Sequence, residues 1–266
     1  MSRETYRKAL KEPQDHLILG LDDMTWEEAG TIMNKTKPYI GMAKINSLAD
    51  REGWRPSVNK ISTLGMLTVA DAMLHNTPKV VENHTRNLTE CGAAFITVHA
   101  SGGQAMLEAA VGGRDQGREA ITNPFMRSKR HLIGGLLGAT VLTSLDNGEC
   151  VSIFGEKADK KVLGFAHMAK EAGLDGVLCS VHELEIIRND SELSDLLVAV
   201  GSITPTWSKK PNDQKRTASP RDAIRNGADY LMLGRNVTKA DDRRDPSSAA
   251  REIMQEVADN LPSRAN

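Results

Sequence analysis

Charged and polar residues stand at or just after the ends of a series of short apolar runs along the chain: Asp22, Lys44 with Asn46, Asp71 with His75 and Asn76, His99, Ser144 with Asp146, Ser180 with Glu183, and Arg235. Carboxylates and an ammonium at such places are the groups that acid–base chemistry and charge stabilisation require. Each alone has an ordinary alternative, a structural ion pair. Their recurrence after several different runs is the stronger signal. Gly234-Arg235 follows the last run, and Gln214, Lys215 and Arg216 lie in the irregular stretch before it, SKKPNDQKRT. Backbone N–H groups and a guanidinium fork from these two segments can converge on one phosphate. A solvated loop, a turn glycine and an Arg235 paired with Asp241 or Asp242 are the alternatives for the same residues. Trp207 is open in the same way, between stacking on a base and packing.

The apolar runs that must position these groups are Leu17 to Leu21, Ile40 to Ile45, Met66 to Ala70, Ala94 to Val98, Ile133 to Leu142, Gly176 to Cys179, Leu196 to Val200 and Tyr230 to Leu233. Helical signals lie between them. Thr25 with Glu28 three residues on forms a capping box, and Ser219-Pro220 is an N-cap followed by proline at the first helical position. Strands buried on both faces and alternating with helices imply a parallel sheet, and eight repeats close it into a (β/α)8 TIM barrel. An open doubly wound sheet is the alternative. No linker, exact repeat or low-complexity tract interrupts the alternation, so residues 1–266 are expected to form a single domain. In a barrel, the residues that follow the strands line the active-site mouth.

Composition narrows the partners. Lys+Arg 34 against Asp+Glu 35 leaves no global field for nucleic acid or a membrane surface. A small anionic ligand needs only local positive charge. Cys91, Cys150 and Cys179 are unpatterned and odd in number, which points to core packing in a reducing compartment. No signal-like segment opens the chain and no run approaches ~18 apolar residues, so a cytoplasmic protein is expected. Walker A, dinucleotide-type G-x-G-x-x-G and G-x-S-x-G motifs are lacking. His75 and His84 do not have the helix spacing of zinc ligands, so no metal site is expected.

Read in order, the segments LILGLDD, AKIN, FITVHASGG, VLTSLD, DGVLCSVHE and NDQKRTASPRDAIRNGADYLMLGRNVT resemble the successive strand-end motifs of the orotidine 5′-phosphate decarboxylase family over nearly the whole chain. By this resemblance Asp22 and Lys44 would contact a ribose, Ser144 would read a pyrimidine edge, and Gln214 with Arg235 and Gly234 would hold a 5′-phosphate. The resemblance implies neither metal nor organic cofactor, and a homodimer with its active site at the subunit interface.

The family's third-strand motif is D-x-K-x-x-D-I-P, and the segment aligned with it, without a gap, is Asp71, Ala72, Met73, Leu74, His75, Asn76, Thr77, Pro78. Asp71 is kept. Met73 stands where the family has its proton-donating Lys, and Asn76 where it has the Asp that crosses to the partner's site. The usual T-P-G-I-R reads Thr204, Pro205, Thr206, Trp207, Ser208, with Pro205 retained as a substrate-binding position. A thioether can neither stabilise nor protonate a carbanion-like centre. One positive and one negative group are thus removed together, and Lys44 and Asp71 are expected to balance as the remaining catalytic pair. On that count, Lys restored at Met73 alone would lack its partner charge. A rival register would make Lys79 the acid, beyond Pro78 and facing away.

The leading reading is a diverged family enzyme acting on a pyrimidine nucleotide 5′-monophosphate or close analogue, with decarboxylation impaired or replaced. Two alternatives stand beside it: a working decarboxylase with Lys44 as proton donor, and a non-catalytic nucleotide-binding regulator.

Overall fold

In a computed structural model that describes residues 3–121, 127–208, 218–239 and 244–262, eight parallel strands close into a barrel in chain order. They are β1 (Leu17–Gly20), β2 (Met42–Ile45), β3 (Leu67–Leu74), β4 (Phe95–His99), β5 (Gly135–Ala139), β6 (Gly176–Ser180), β7 (Leu197–Gly201) and β8 (Tyr230–Leu233). The pairing of β1 with β8, Leu17 opposite Leu231 and Ile18 opposite Met232, closes the ring and excludes an open doubly wound sheet. Each apolar run of the sequence holds one strand.

Both faces of the strands are apolar for the expected reason. Leu19, Ala43, Ile96, Leu136, Val198 and Leu231 belong to the cluster shared with the surrounding helices. Alternate residues Ile18, Met42, Val69, Phe95, Leu137, Ala199 and Tyr230 form the second, inner cluster. Helix α1 (Arg3–Ala9) closes the bottom of that inner core: Tyr6 is buried with its ring 4.9 Å from Phe95, which meets Tyr230 edge-on at 5.2 Å. With the bottom plugged by aromatic rings, the C-terminal end is left for a ligand.

The expected caps are present. Thr25 accepts from Glu28 N at 3.2 Å at the start of α2 (Trp26–Thr36), and Glu28 returns the bond to Thr25 N at 2.7 Å. Ser219 accepts from Asp222 N, with Pro220 in the first turn of the helix Pro220–Arg225. Among the described residues, no helix is long and apolar enough to cross a membrane. The three cysteines are buried and form no disulfide, in keeping with packing.

Two strands differ from their sequence limits at the end that matters. β5 stops at Ala139, because Leu142 to Leu145 form a turn closed by a Leu145 N to Leu142 O bond of 3.0 Å. β3 runs on past Ala70 to Leu74 through an irregularity: Ala70 pairs with Ile96 but Leu74 with Val98, so four steps along β3 match two along β4. A bulge of this kind bends a strand and re-aims its side chains.

Candidate active site

The bulge in β3 has a chemical consequence, because the re-aimed residues are Asp71 and Met73. Met73 takes φ +44°, in the left-handed region that a long side chain rarely occupies. Displaced from regular pairing, its N–H donates to the Thr97 hydroxyl at 2.9 Å, and the same hydroxyl donates to Asp71 Oδ1 at 2.9 Å. Thr97 is fully buried on β4. It therefore fixes both the backbone of Met73 and one oxygen of Asp71. Asp23 and Ser202 also have positive φ (57° and 59°); they follow β1 and β7, while Met73 lies at the irregular end of β3. Local strain of roughly 1–3 kcal/mol each tends to persist where a functional geometry requires it.

Around Asp71 the charges form a chain. Lys44 Nζ donates to Asp71 Oδ2 at 2.6 Å and to Asp22 Oδ2 at 3.0 Å. The Lys44 and Asp71 side chains are 13% and 11% exposed, and Asp22 is 44% exposed. Asn46 donates to the Asp71 backbone carbonyl at 2.7 Å. Burial by itself pulls the Lys44 ammonium toward neutrality, but the Asp71 and Asp22 carboxylates outweigh it and hold its pKa above the ordinary value. The expected Lys44–Asp71 pair is thus three-membered, two carboxylates about one ammonium.

Gly20 makes room for this arrangement. A Cβ there would stand 3.2 Å from Lys44 Cε, 3.2 Å from the Leu233 carbonyl and 3.4 Å from Asp22 Oδ2. A side chain would press on the lysine where it sits between the two acids, so a neighbour would have to give by a few tenths of an ångström. Neither Gly20 nor Thr97 stands out in the sequence. The only trace of Thr97 is a lone hydroxyl on an otherwise apolar strand, two residues before His99.

Asp22, Lys44, Asp71, Met73 and Gly234 line one cavity of about 250 Å³ at the mouth, closed by Thr140, Val141, Leu178, Cys179, Ser202 and Met232. A second, lateral groove of about 600 Å³ lies between Trp54 and the helix Pro78–Cys91, and Met73 lines that too. Met73 is therefore the wall between the two spaces. Asn76 lines the groove rather than the cavity; it is exposed, and its Oδ1 accepts from Thr77 N at 2.7 Å. His75 lies beside it, 5.5 Å ring to ring from His99. Burial, then the neighbouring His75, lowers the His99 pKa against the pull of Asp71, which favours the neutral ring.

Several other residues read as candidates have structural duties or stand apart. Ser144 is exposed in the turn after β5, and Thr140 and Thr143, not Ser144, are on the cavity wall. Asp146 caps the helix Asn147–Phe154, and Ser180 caps Val181–Asn189. Pro205 is buried outside the cavity lining, its carbonyl accepting from Ser208 N at 2.9 Å. Trp207 packs on the core, partly buried, with the Arg244 guanidinium 4.4 Å from its ring centroid. Lys79 pairs with Glu82 at 2.9 Å and is 73% exposed, away from the cavity. Arg235 is exposed directly after Gly234. Gln214, Lys215, Arg216, Asp241 and Asp242 lie outside the described residues. No cluster of three or more metal-ligating side chains occurs among the described residues.

The chain as a whole has known relatives. The chain is 34% identical over 245 residues to the orotidine 5′-phosphate decarboxylase of Anaeromyxobacter sp. strain K, covering 91% of this chain and 98% of that one. It is 32% identical over 246 residues to the Moorella thermoacetica protein of the same name, with 92% of each chain covered. The crystal structure of orotidine 5′-phosphate decarboxylase from Lactobacillus acidophilus superimposes with a TM-score of 0.72 at 27% identity, over 91% of this chain and 98% of the other. The family described as Orotidine 5′-phosphate decarboxylase / HUMPS matches residues 15–253, and this barrel belongs to that family.

Proposed function

We propose that the chain is a diverged member of its family that acts on a pyrimidine nucleoside 5′-monophosphate or close analogue, with ordinary decarboxylation impaired or replaced. The observation that carries this reading is Met73: an uncharged thioether faces the cavity beside the Asp22–Lys44–Asp71 chain, where the family resemblance calls for an ammonium. Asp22 and Lys44 remain able to bind ribose hydroxyls, and the cavity volume of about 250 Å³ suits a single-ring base. Lys44 is a poor substitute acid. Its proton is held by two carboxylates that raise its pKa, whereas a proton donor works best with a pKa near the operating pH. That weighs against a working decarboxylase that uses Lys44 as its acid. Turnover of a panel of pyrimidine nucleotides separates an enzyme from a silent nucleotide-binding regulator.

A 5′-phosphate is expected to sit at Gly234 and Arg235, with the segment carrying Gln214 beside it. Hydrogen bonds to charged groups contribute about 1.5–3 kcal/mol, so Arg235→Ala should weaken nucleotide binding roughly tenfold or more. Gln214→Ala should cost less, since a neutral amide makes weaker contacts. Calorimetric titration with uridine 5′-monophosphate and uridine tests this. Equal affinity for nucleotide and nucleoside, or an unaffected Arg235→Ala variant, would remove the phosphate site.

We also propose a cytoplasmic, two-fold dimer with Asn76 approaching the second subunit's site as a neutral hydrogen-bonding residue. Light scattering at micromolar concentration should report twice the chain mass, and a monomer would contradict the dimer.

A further inference from the structure

Among the described residues, the charged groups on the cavity wall are Asp22, Lys44 and Asp71, two carboxylates against one ammonium, a net charge of −1. The ammonium is not available to a second anion on equal terms, because it already donates to Asp71 at 2.6 Å and to Asp22 at 3.0 Å. The uncharged remainder of the wall includes Met73, Val141, Leu178, Cys179 and Met232, together with the hydroxyls of Thr140, Thr143 and Ser202. These offer a carboxylate no compensating charge. An anion placed among them loses its hydration and meets like charge from Asp71, whose other oxygen is already committed to Thr97. From this wall we infer that the base bound here is uncharged: the site selects nucleoside 5′-monophosphates lacking a ring carboxylate, and Met73 is the residue that sets the selection.

The inference rests on the nucleotide reading above and deepens it. A neutral ring leaves the Asp22–Lys44–Asp71 chain intact and places apolar ring edges against Met73 and Met232. An ammonium at position 73 would cancel the net charge of the wall and supply the missing partner for a carboxylate.

Calorimetric titration of the full chain with uridine 5′-monophosphate and orotidine 5′-monophosphate isolates the carboxylate, since ribose and phosphate are common to both. The wild type should bind the uridine nucleotide at least ~10-fold more tightly, a ratio equivalent to about 1.4 kcal/mol. In Met73→Lys the ratio should fall to unity or reverse, while Met73→Leu should preserve it. Equal or tighter binding of orotidine 5′-monophosphate by the wild type would overturn the inference and leave the nucleotide site standing. Failure of both nucleotides to bind would overturn the nucleotide reading and this inference with it.

Discussion

The variant Met73→Lys/Asn76→Asp should decarboxylate orotidine 5′-monophosphate at least ~100-fold faster than the wild type. A positioned acid contributes typically 10²–10⁴-fold, and preorganised charge at a developing anion a similar factor, so the lower bound of about 100 asks only one of these to be recovered. The backbone needed to aim the new ammonium is already built. The β3 bulge, φ +44° at Met73 and the Thr97 hydroxyl holding its N–H all belong to the present chain. Kinetics of carbon dioxide release by wild type, each single variant and the double variant would measure the effect. A wild type as fast as the double variant would end the diverged reading.

The single Met73→Lys variant is informative about charge. Counting Lys44 and Asp71 as a balanced pair makes an added ammonium an uncompensated buried charge. With Asp22 bonded to the same lysine, the present sum is −1, and Lys at position 73 brings it to zero. The variant should therefore fold with a melting temperature within a few degrees of wild type, as expected for a change of about 1 kcal/mol or less.

What the sequence makes legible is what repeats. Eight apolar runs place eight strands, and the Thr25–Glu28 and Ser219–Pro220 signals place their helix starts, because burial on both faces and capping are local rules with strong residue preferences. The positions of Asp22, Lys44 and Asp71 are legible for the same reason, each standing at or just after the end of an apolar run. What escapes is what depends on a neighbour. The two extra residues in β3 exist only relative to β4, and Thr97 acquires its role only because that bulge frees the Met73 N–H. Gly20 matters through the lysine beside it in space, 24 positions later in the chain. Ser144 follows an apolar run that looks like continuous strand, but the backbone turns at Leu142, so the hydroxyls this segment brings to the wall are those of Thr140 and Thr143. The resemblance assigns Asp22 to a ribose, and its bond to Lys44 changes the charge count on which the meaning of Met73 depends.

That count also fixes what Lys44 does for the fold, and Lys44→Met should destabilise the barrel by about 3–5 kcal/mol, the usual cost of removing one partner of a buried pair. The cost falls on Asp71. Asp22 is 44% exposed and can turn to water, whereas Asp71 is 11% exposed and would retain only the Thr97 hydroxyl on its side chain. Asp71→Asn alone should cost less, because Lys44 keeps Asp22 and a neutral amide keeps its bond with Thr97. In Lys44→Met/Asp71→Asn the stranded carboxylate is gone, so the double variant should be more stable than Lys44→Met, a non-additivity of about 1–3 kcal/mol. The pH range follows from the raised Lys44 pKa: its contribution is fully present below the ordinary lysine value near 10.5 and is lost only as pH rises through the higher folded value. Denaturant unfolding of the four proteins at pH 7 to 9 should therefore show the whole effect at every pH. Additive single-variant costs, or a Lys44→Met variant as stable as wild type, would mean that the Asp22–Lys44–Asp71 chain is not the charge unit on which Met73 was read.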